Sequence, residues 1–216
     1  VNGASGRRQS IVQAALDIAR AEGLKAVTMR AVASRLKVTP MALYRHVADR
    51  EELMTLVADR VGELVRPQPP AGAGWQDRAR AWAVAERRVL RDYPGLAAWL
   101  MGNGPAGPQA YRLLEELVSA LAEADFSDIE IAHGAVLIMS WTFSRVAIED
   151  DAEARRDTDG DSRGRAFVAG LDTVDPSVHT TAARIGPVLF TLSMQDIFDR
   201  GLDSILLGLE AGRTDR

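Results

Sequence analysis

VTMRAVASRLKVTPMALYRHVADREEL, residues 27–53, is punctuated three times by helix-starting residues. Thr28 precedes Val32, Ala33 and Leu36 at helical spacing, and Thr39 followed by Pro40 has the form of an N-cap with proline at the first helical position. Asp49 with Glu52 three residues on resembles a capping box opening a further helix that carries Leu53, Leu56, Val57 and Leu64. Upstream, Ile11, Ala15, Ile18 and Ala19 form one apolar stripe of a helix over about residues 10–22, which Gly23 ends. The stretch therefore predicts two short helices, 28–36 and 39–46, joined by a tight turn. A second helix held in this way can enter a DNA major groove about 12 Å wide. Its outward positions are Thr39, Pro40, Met41, Ala42, Arg45 and His46, while Leu43 and Val47 lock it onto Ile18, Val32 and Leu36. Hydroxyls and caps suit phosphates, Met41 and Ala42 suit a thymine methyl, and Arg45 suits guanine or phosphate.

Charge is distributed as that reading requires. Residues 1–50 hold nine Lys or Arg against three acids, whereas the remainder of the chain holds seventeen against twenty-seven. A basic head on an acidic body suits a polyanion at the head; a solvated basic helix face is the alternative. Pro67, Pro69, Pro70, Gly72 and Gly74 then mark a linker, predicting a DNA-binding unit over residues 1–66 and a second unit over 67–216. Segments 75–92, 94–101, 108–124, 127–149 and 195–211 all have helical apolar spacing, so the expected fold class is all-α. Residues 150–165 are charged or small and predict a loop or disordered insert. The absence of cysteine excludes disulfides and thiolate chemistry. No secretory signal is recognisable at the start of the chain, and polar residues interrupt 129–148, which reads as a buried helix rather than a bilayer span. The expectation is a cytoplasmic protein without membrane association.

Val27-Thr28-Met29-Arg30-Ala31-Val32-Ala33, Met41-Ala42-Leu43-Tyr44-Arg45-His46-Val47 and Asp49-Arg50-Glu51-Glu52-Leu53 together resemble the tetracycline-repressor (TetR) family. The resemblance extends past the linker through Asp92-Tyr93-Pro94-Gly95, Gly104-Pro105, 113–126 and Asp196-Ile197-Phe198-Asp199-Arg200-Gly201-Leu202-Asp203, and so covers nearly the whole chain. It implies that Arg30, Thr39, Met41 and Ala42 read bases, while Tyr44, His46 and Arg50 grip phosphates. Tyr44 keeps a second reading as a core ring. Lys37 departs from the family, which usually has glycine in this turn, and implies an altered backbone there.

The resemblance also implies a homodimer on a palindromic operator, paired through the helices around 129–148 and 195–211; monomer core is the other reading of these segments. His133, Leu137, Ser140 and Trp141 share one helix stripe that combines a ring with polar handles, as in the lining of a drug-sized pocket. Trp82, Glu86 and Trp99 lie where the family lines its pocket, although any one of these residues could equally be core. Trp99 stands where the best-known member has a metal-binding histidine, so tetracycline is disfavoured and neither metal nor cofactor is expected. Glu149 matches an acidic position of that magnesium site. The function implied is a ligand-released repressor; a constitutive DNA-binding protein is the alternative, and a helical enzyme using His133 or His179 with Glu130 or Asp175 a remote one.

Overall fold

The structure, a computed structural model, describes residues 2–104, 107–159, 169–170, 173, 175, 177–189 and 191–213. Among the described residues there is no strand. The helices are α1 (Asn2–Glu22), α2 (Met29–Arg35), α3 (Pro40–Leu43), α4 (Arg50–Gly62), α5 (Trp75–Leu90), α6 (Leu96–Asn103), α7 (Pro108–Ala122), α8 (Asp128–Asp159), α9 (Thr180–Leu189) and α10 (Met194–Ala211), with a 3₁₀ turn at Leu24–Ala26.

The head forms where the capping residues dictate. The Thr28 hydroxyl accepts a hydrogen bond from the Ala31 N–H at 3.0 Å, satisfying one of the free donors that every helix start leaves. Asp49 accepts from the Glu52 N–H at 2.8 Å, and Glu52 reaches back to the Ala48 N–H at 2.6 Å. The box thus closes on the residue before the cap. Between α2 and α3 the chain reverses at Lys37, whose φ is 56°, and the Val38 N–H returns to the Ala33 carbonyl at 3.0 Å. The lysine that departs from the family glycine therefore does take the left-handed conformation. Ile11, Ile18, Val32, Leu43 and Val47 are buried in one core, which fixes α3 on the head.

In the body, α8 is the hub and packs against α5, α6, α7 and α10. By length and composition its stretch Asp128–Ala154 could cross a membrane. It instead buries Arg145 and Glu149 against neighbouring helices. Glu149 accepts from Arg87 Nε and Nη2 at 3.0–3.2 Å, and Arg87 also donates to Gln195 at 2.6 Å and lies 4.6 Å from the Phe198 ring centroid. One guanidinium thus ties α5 to both α8 and α10.

Two expectations need correction. Residues 150–159 are not a loop but the last turns of α8, because Asp150 accepts from the Gly95 N–H at 2.8 Å and so fixes the helix beyond its apolar part. The rest of the expected insert lies outside the described residues. The third helix is shorter than 39–46: α3 stops at Leu43, and residues 44–46 continue as a turn with the His46 and Val47 N–H groups both on the Leu43 carbonyl. Helix α9 is additional to the segments expected to be helical.

Candidate nucleic-acid interface and internal cavity

Most of the residues expected to meet DNA have side chains open to solvent on the head. Arg30, Thr39, Met41, Tyr44 and Arg45 are exposed, and Ala42 and His46 are half-buried. Met41, at 70% exposure, is a large apolar side chain held in water on a four-residue helix, which costs free energy unless something covers it. Tyr44 at 48% exposure is not a core ring. The Thr39 hydroxyl makes no capping bond, leaving it free to meet a phosphate. Arg50 departs from expectation. It is half-buried, and its Nε donates to the Val27 carbonyl at 3.0 Å while Nη2 lies 3.5 Å from the Leu24 carbonyl. Its main work is therefore to brace the 3₁₀ turn against the start of α4.

The body encloses a cavity of about 90 Å³ whose wall is drawn from α4 through α8. Ala58 and Val61 come from α4, Trp82, Glu86 and Leu90 from α5, Leu96 and Leu100 from α6, Leu113 from α7, and Met139 and Phe143 from α8. The wall is apolar but for Glu86, which is 5% exposed and whose pKa burial pushes up to about 8. Trp82 is committed elsewhere, its Nε1 donating to the Leu113 carbonyl at 2.7 Å.

Of the residues expected to line a pocket, Trp82 and Glu86 do so, and the other five do not line this cavity. His133, Leu137 and Ser140 are exposed on the far side of α8. Successive helix residues are turned by about 100°, so a stripe chosen one or two positions from Met139 and Phe143 faces elsewhere. Trp141 is half-buried against α10, with Nε1 donating to the Phe198 carbonyl at 3.1 Å, and a Cβ at Gly201 would overlap its ring. Trp99 misses by the same single step from Leu100 and packs on the core. The missed lining residues form i, i+4 pairs, Leu96 with Leu100 and Met139 with Phe143, a signal that exists in the sequence but does not say which pairs face inward.

Two links join this cavity to the head. Helix α4 begins at the Arg50 brace and ends in the cavity wall at Val61. Between the lining residues Leu90 and Leu96 runs the turn at Pro94, whose carbonyl accepts from the Leu24 N–H at 2.8 Å, while Arg20 pairs with Asp92 at 3.0 Å.

Glu149, the acidic position matched to a magnesium site, is occupied by Arg87 and by Arg91 at 3.5 Å. Among the described residues no group of three His, Cys, Asp or Glu side chains is placed to hold a metal ion. Of the residues weighed for catalysis, Asp175 accepts from the backbone and hydroxyl of Ser177, which lowers its pKa and gives it a turn-capping role.

Residues 11–57 match the family described as "Bacterial regulatory proteins, tetR family", and residues 66–213 match "Tetracyclin repressor-like, C-terminal domain". The chain is 30% identical over 142 residues to an HTH-type transcriptional regulator of Saccharopolyspora erythraea, covering 66% of this chain and 60% of that protein's length. It is 30% identical over 210 residues to the HTH-type transcriptional repressor DrrR1 of Streptomyces coeruleorubidus, covering 93% of this chain and 76% of the relative. The TetR family protein ActR of Streptomyces coelicolor, solved in complex with actinorhodin, superposes with a TM-score of 0.85 at 25% identity, covering 96% of this chain and 98% of that one.

Proposed function

The chain belongs to the TetR family of bacterial regulatory proteins, and from that membership we propose that it is a cytoplasmic repressor which binds a palindromic operator as a homodimer and leaves it when a small molecule occupies the cavity. The observation that carries this reading is the shared wall: α4 and the turn at Pro94 each have one end at the cavity and the other on the head. A ligand that spreads α5 and α6 must move Pro94, and with it Leu24 and the segment that orients α2 and α3.

In this reading Arg30, Thr39, Met41 and Ala42 face base edges, Tyr44, Arg45 and His46 flank them toward the phosphates, and Arg50 positions the head from within. The division of labour follows residues 1–66 for reading and 67–216 for pairing and sensing. Ile129, His133, Val136, Leu137 and Ser140 form one exposed stripe on α8, with Leu207 and Gly208 exposed on the adjacent α10. Such a two-helix apolar face is the natural surface for a symmetry mate, and pairing there sets two heads roughly 34–36 Å apart.

Selection from a random duplex library tests the proposal. It should return a twofold-symmetric sequence, and Arg30→Ala should weaken binding to it by about 10- to 100-fold and relax preference at one position of each half-site, the effect of losing a base contact worth about 1–3 kcal/mol. Recovery of no duplex at low salt, or of a single unrepeated half-site by a monomer, overturns it.

A further inference from the structure

We propose that the effector is an apolar compound carrying one protonated amine, received as an ion pair by Glu86 in the cavity wall. The inference rests on the cavity being the effector site and names the chemistry that site selects. Glu86 is the one acidic group in the lining, and its carboxyl takes part in no hydrogen bond or ion pair among the described residues. Apart from the O–H of protonated Glu86 itself, the cavity lining has no donor side chain to spare. Trp82 Nε1 is held by Leu113. Arg112, the nearest cation, donates to the Gly62 and Val65 carbonyls at 3.0 and 3.1 Å, to Gln109 at 2.8 Å and to Glu116 at 2.5 Å. A buried carboxyl without a donor is costly in its ionised form. A charge on Glu86 therefore needs a donor supplied by whatever enters the cavity.

An ammonium brings three N–H donors and the opposite charge. A carboxylate or phosphate ligand brings no opposite charge, and besides hydrocarbon it would meet only the single O–H of protonated Glu86. The facing charged groups are Arg112 and Glu116 from α7, acting in opposite senses on Glu86, and the lining residues from α4, α6 and α8 are uncharged. Burial keeps Glu86 protonated in the empty cavity at neutral pH. Binding therefore moves one proton from the Glu86 carboxyl to solvent as the ammonium–carboxylate pair forms. The charge balances, and affinity rises with pH from 6 to 8.

The cavity, at about 90 Å³, is smaller than the roughly 150 Å³ that holds benzene, so its walls must give way to a ligand and the smallest single-ring probes are chosen: benzylamine, benzyl alcohol, toluene and phenylacetate are compared by titration calorimetry on the full chain. At pH 7, in two buffers of different ionisation enthalpy, benzylamine should release close to one proton and bind at least tenfold more tightly than benzyl alcohol, with phenylacetate weakest. Glu86→Gln should abolish that preference and the proton release while toluene still binds. Phenylacetate or benzyl alcohol matching benzylamine, or a preference surviving in Glu86→Gln, overturns the inference. If such a ligand also weakens operator binding, the ligand-released regulator stands without the amine. Failure of every probe to bind overturns the inference as well, and the library selection then decides the regulator reading separately.

Discussion

The exposed face of the head around α3 and the cavity of the body are built by opposite rules. The head exposes an apolar Met41 and the ring of Tyr44 beside cations, all within one short run of chain, whereas the cavity buries a lone carboxyl among apolar residues drawn from five helices. In the head, Met41 and Tyr44 are large side chains left on the surface rather than used in the core. In the body, the buried charged groups are either paired, as Arg87 and Glu149 are, or spend folding free energy, as Glu86 does. Polar substitutions should accordingly be cheap for stability in the first region and expensive in the second.

The sharpest way to break that contrast is Glu149→Ala. It leaves the Arg87 guanidinium buried over Phe198 with Gln195 as its remaining side-chain hydrogen-bond partner. Orphaning a buried charge in this way is expected to cost about 3–5 kcal/mol in urea unfolding. Arg45→Ala, which removes an exposed head cation, should stay within about 0.5 kcal/mol. Equal effects of the two substitutions would mean that the regions do not differ as described.

A smaller effect comes from Glu86 and depends on pH. Its native pKa is raised to about 8, while the unfolded chain ionises in the ordinary carboxylate range. Between those two values the native state holds the extra proton, so stability falls as pH rises toward 8. Every tenfold gain in proton affinity on folding corresponds to about 1.4 kcal/mol, which allows a loss of ~2–4 kcal/mol across the window. Glu86→Gln should flatten that fall and be the more stable protein at pH 8, as read from urea midpoints at pH 5, 6.5 and 8. Parallel profiles for the two proteins would show an ionised Glu86 and remove the contrast from the cavity's side.

The same contrast explains what could be read before folding. The head was legible because Thr28, Pro40 and Asp49 act on their own neighbours, so caps and helix ends are local properties of the chain. Met41, Tyr44 and Arg45 are outward simply because Leu43 and Val47 are inward. The cavity was only partly legible: Trp82 and Glu86 were found, but Trp99 and the stripe through His133, Leu137, Ser140 and Trp141 were misplaced by one or two helix positions. Which i, i+4 pair faces a cavity is decided by how several distant helices pack, and no single stripe carries that information. Arg50 misled for a related reason. An arginine that opens a helix beside a basic surface looks free, yet the carbonyls of Val27 and Leu24 come from a turn more than twenty residues away.

The smallest effect sharpens the comparison at the backbone, where the head and its joint to the body handle positive φ differently. Lys37 holds φ 56° with a full side chain, whereas the joint uses Gly95 at φ 90°, beside Leu24. An L-residue in the left-handed region is strained by roughly 1–2 kcal/mol, and glycine escapes that strain but loses more chain entropy on folding. The two partly offset, so Lys37→Gly should raise stability by about 0.5–1 kcal/mol. Gly95→Ala should do the reverse, since its Cβ would sit 3.4 Å from that of Leu24 in a conformation that alanine disfavours. Urea unfolding of both variants reads the pair. A loss of stability in Lys37→Gly would mean that the exposed lysine contributes contacts worth more than its strain, and the head would then share the body's dependence on its polar groups.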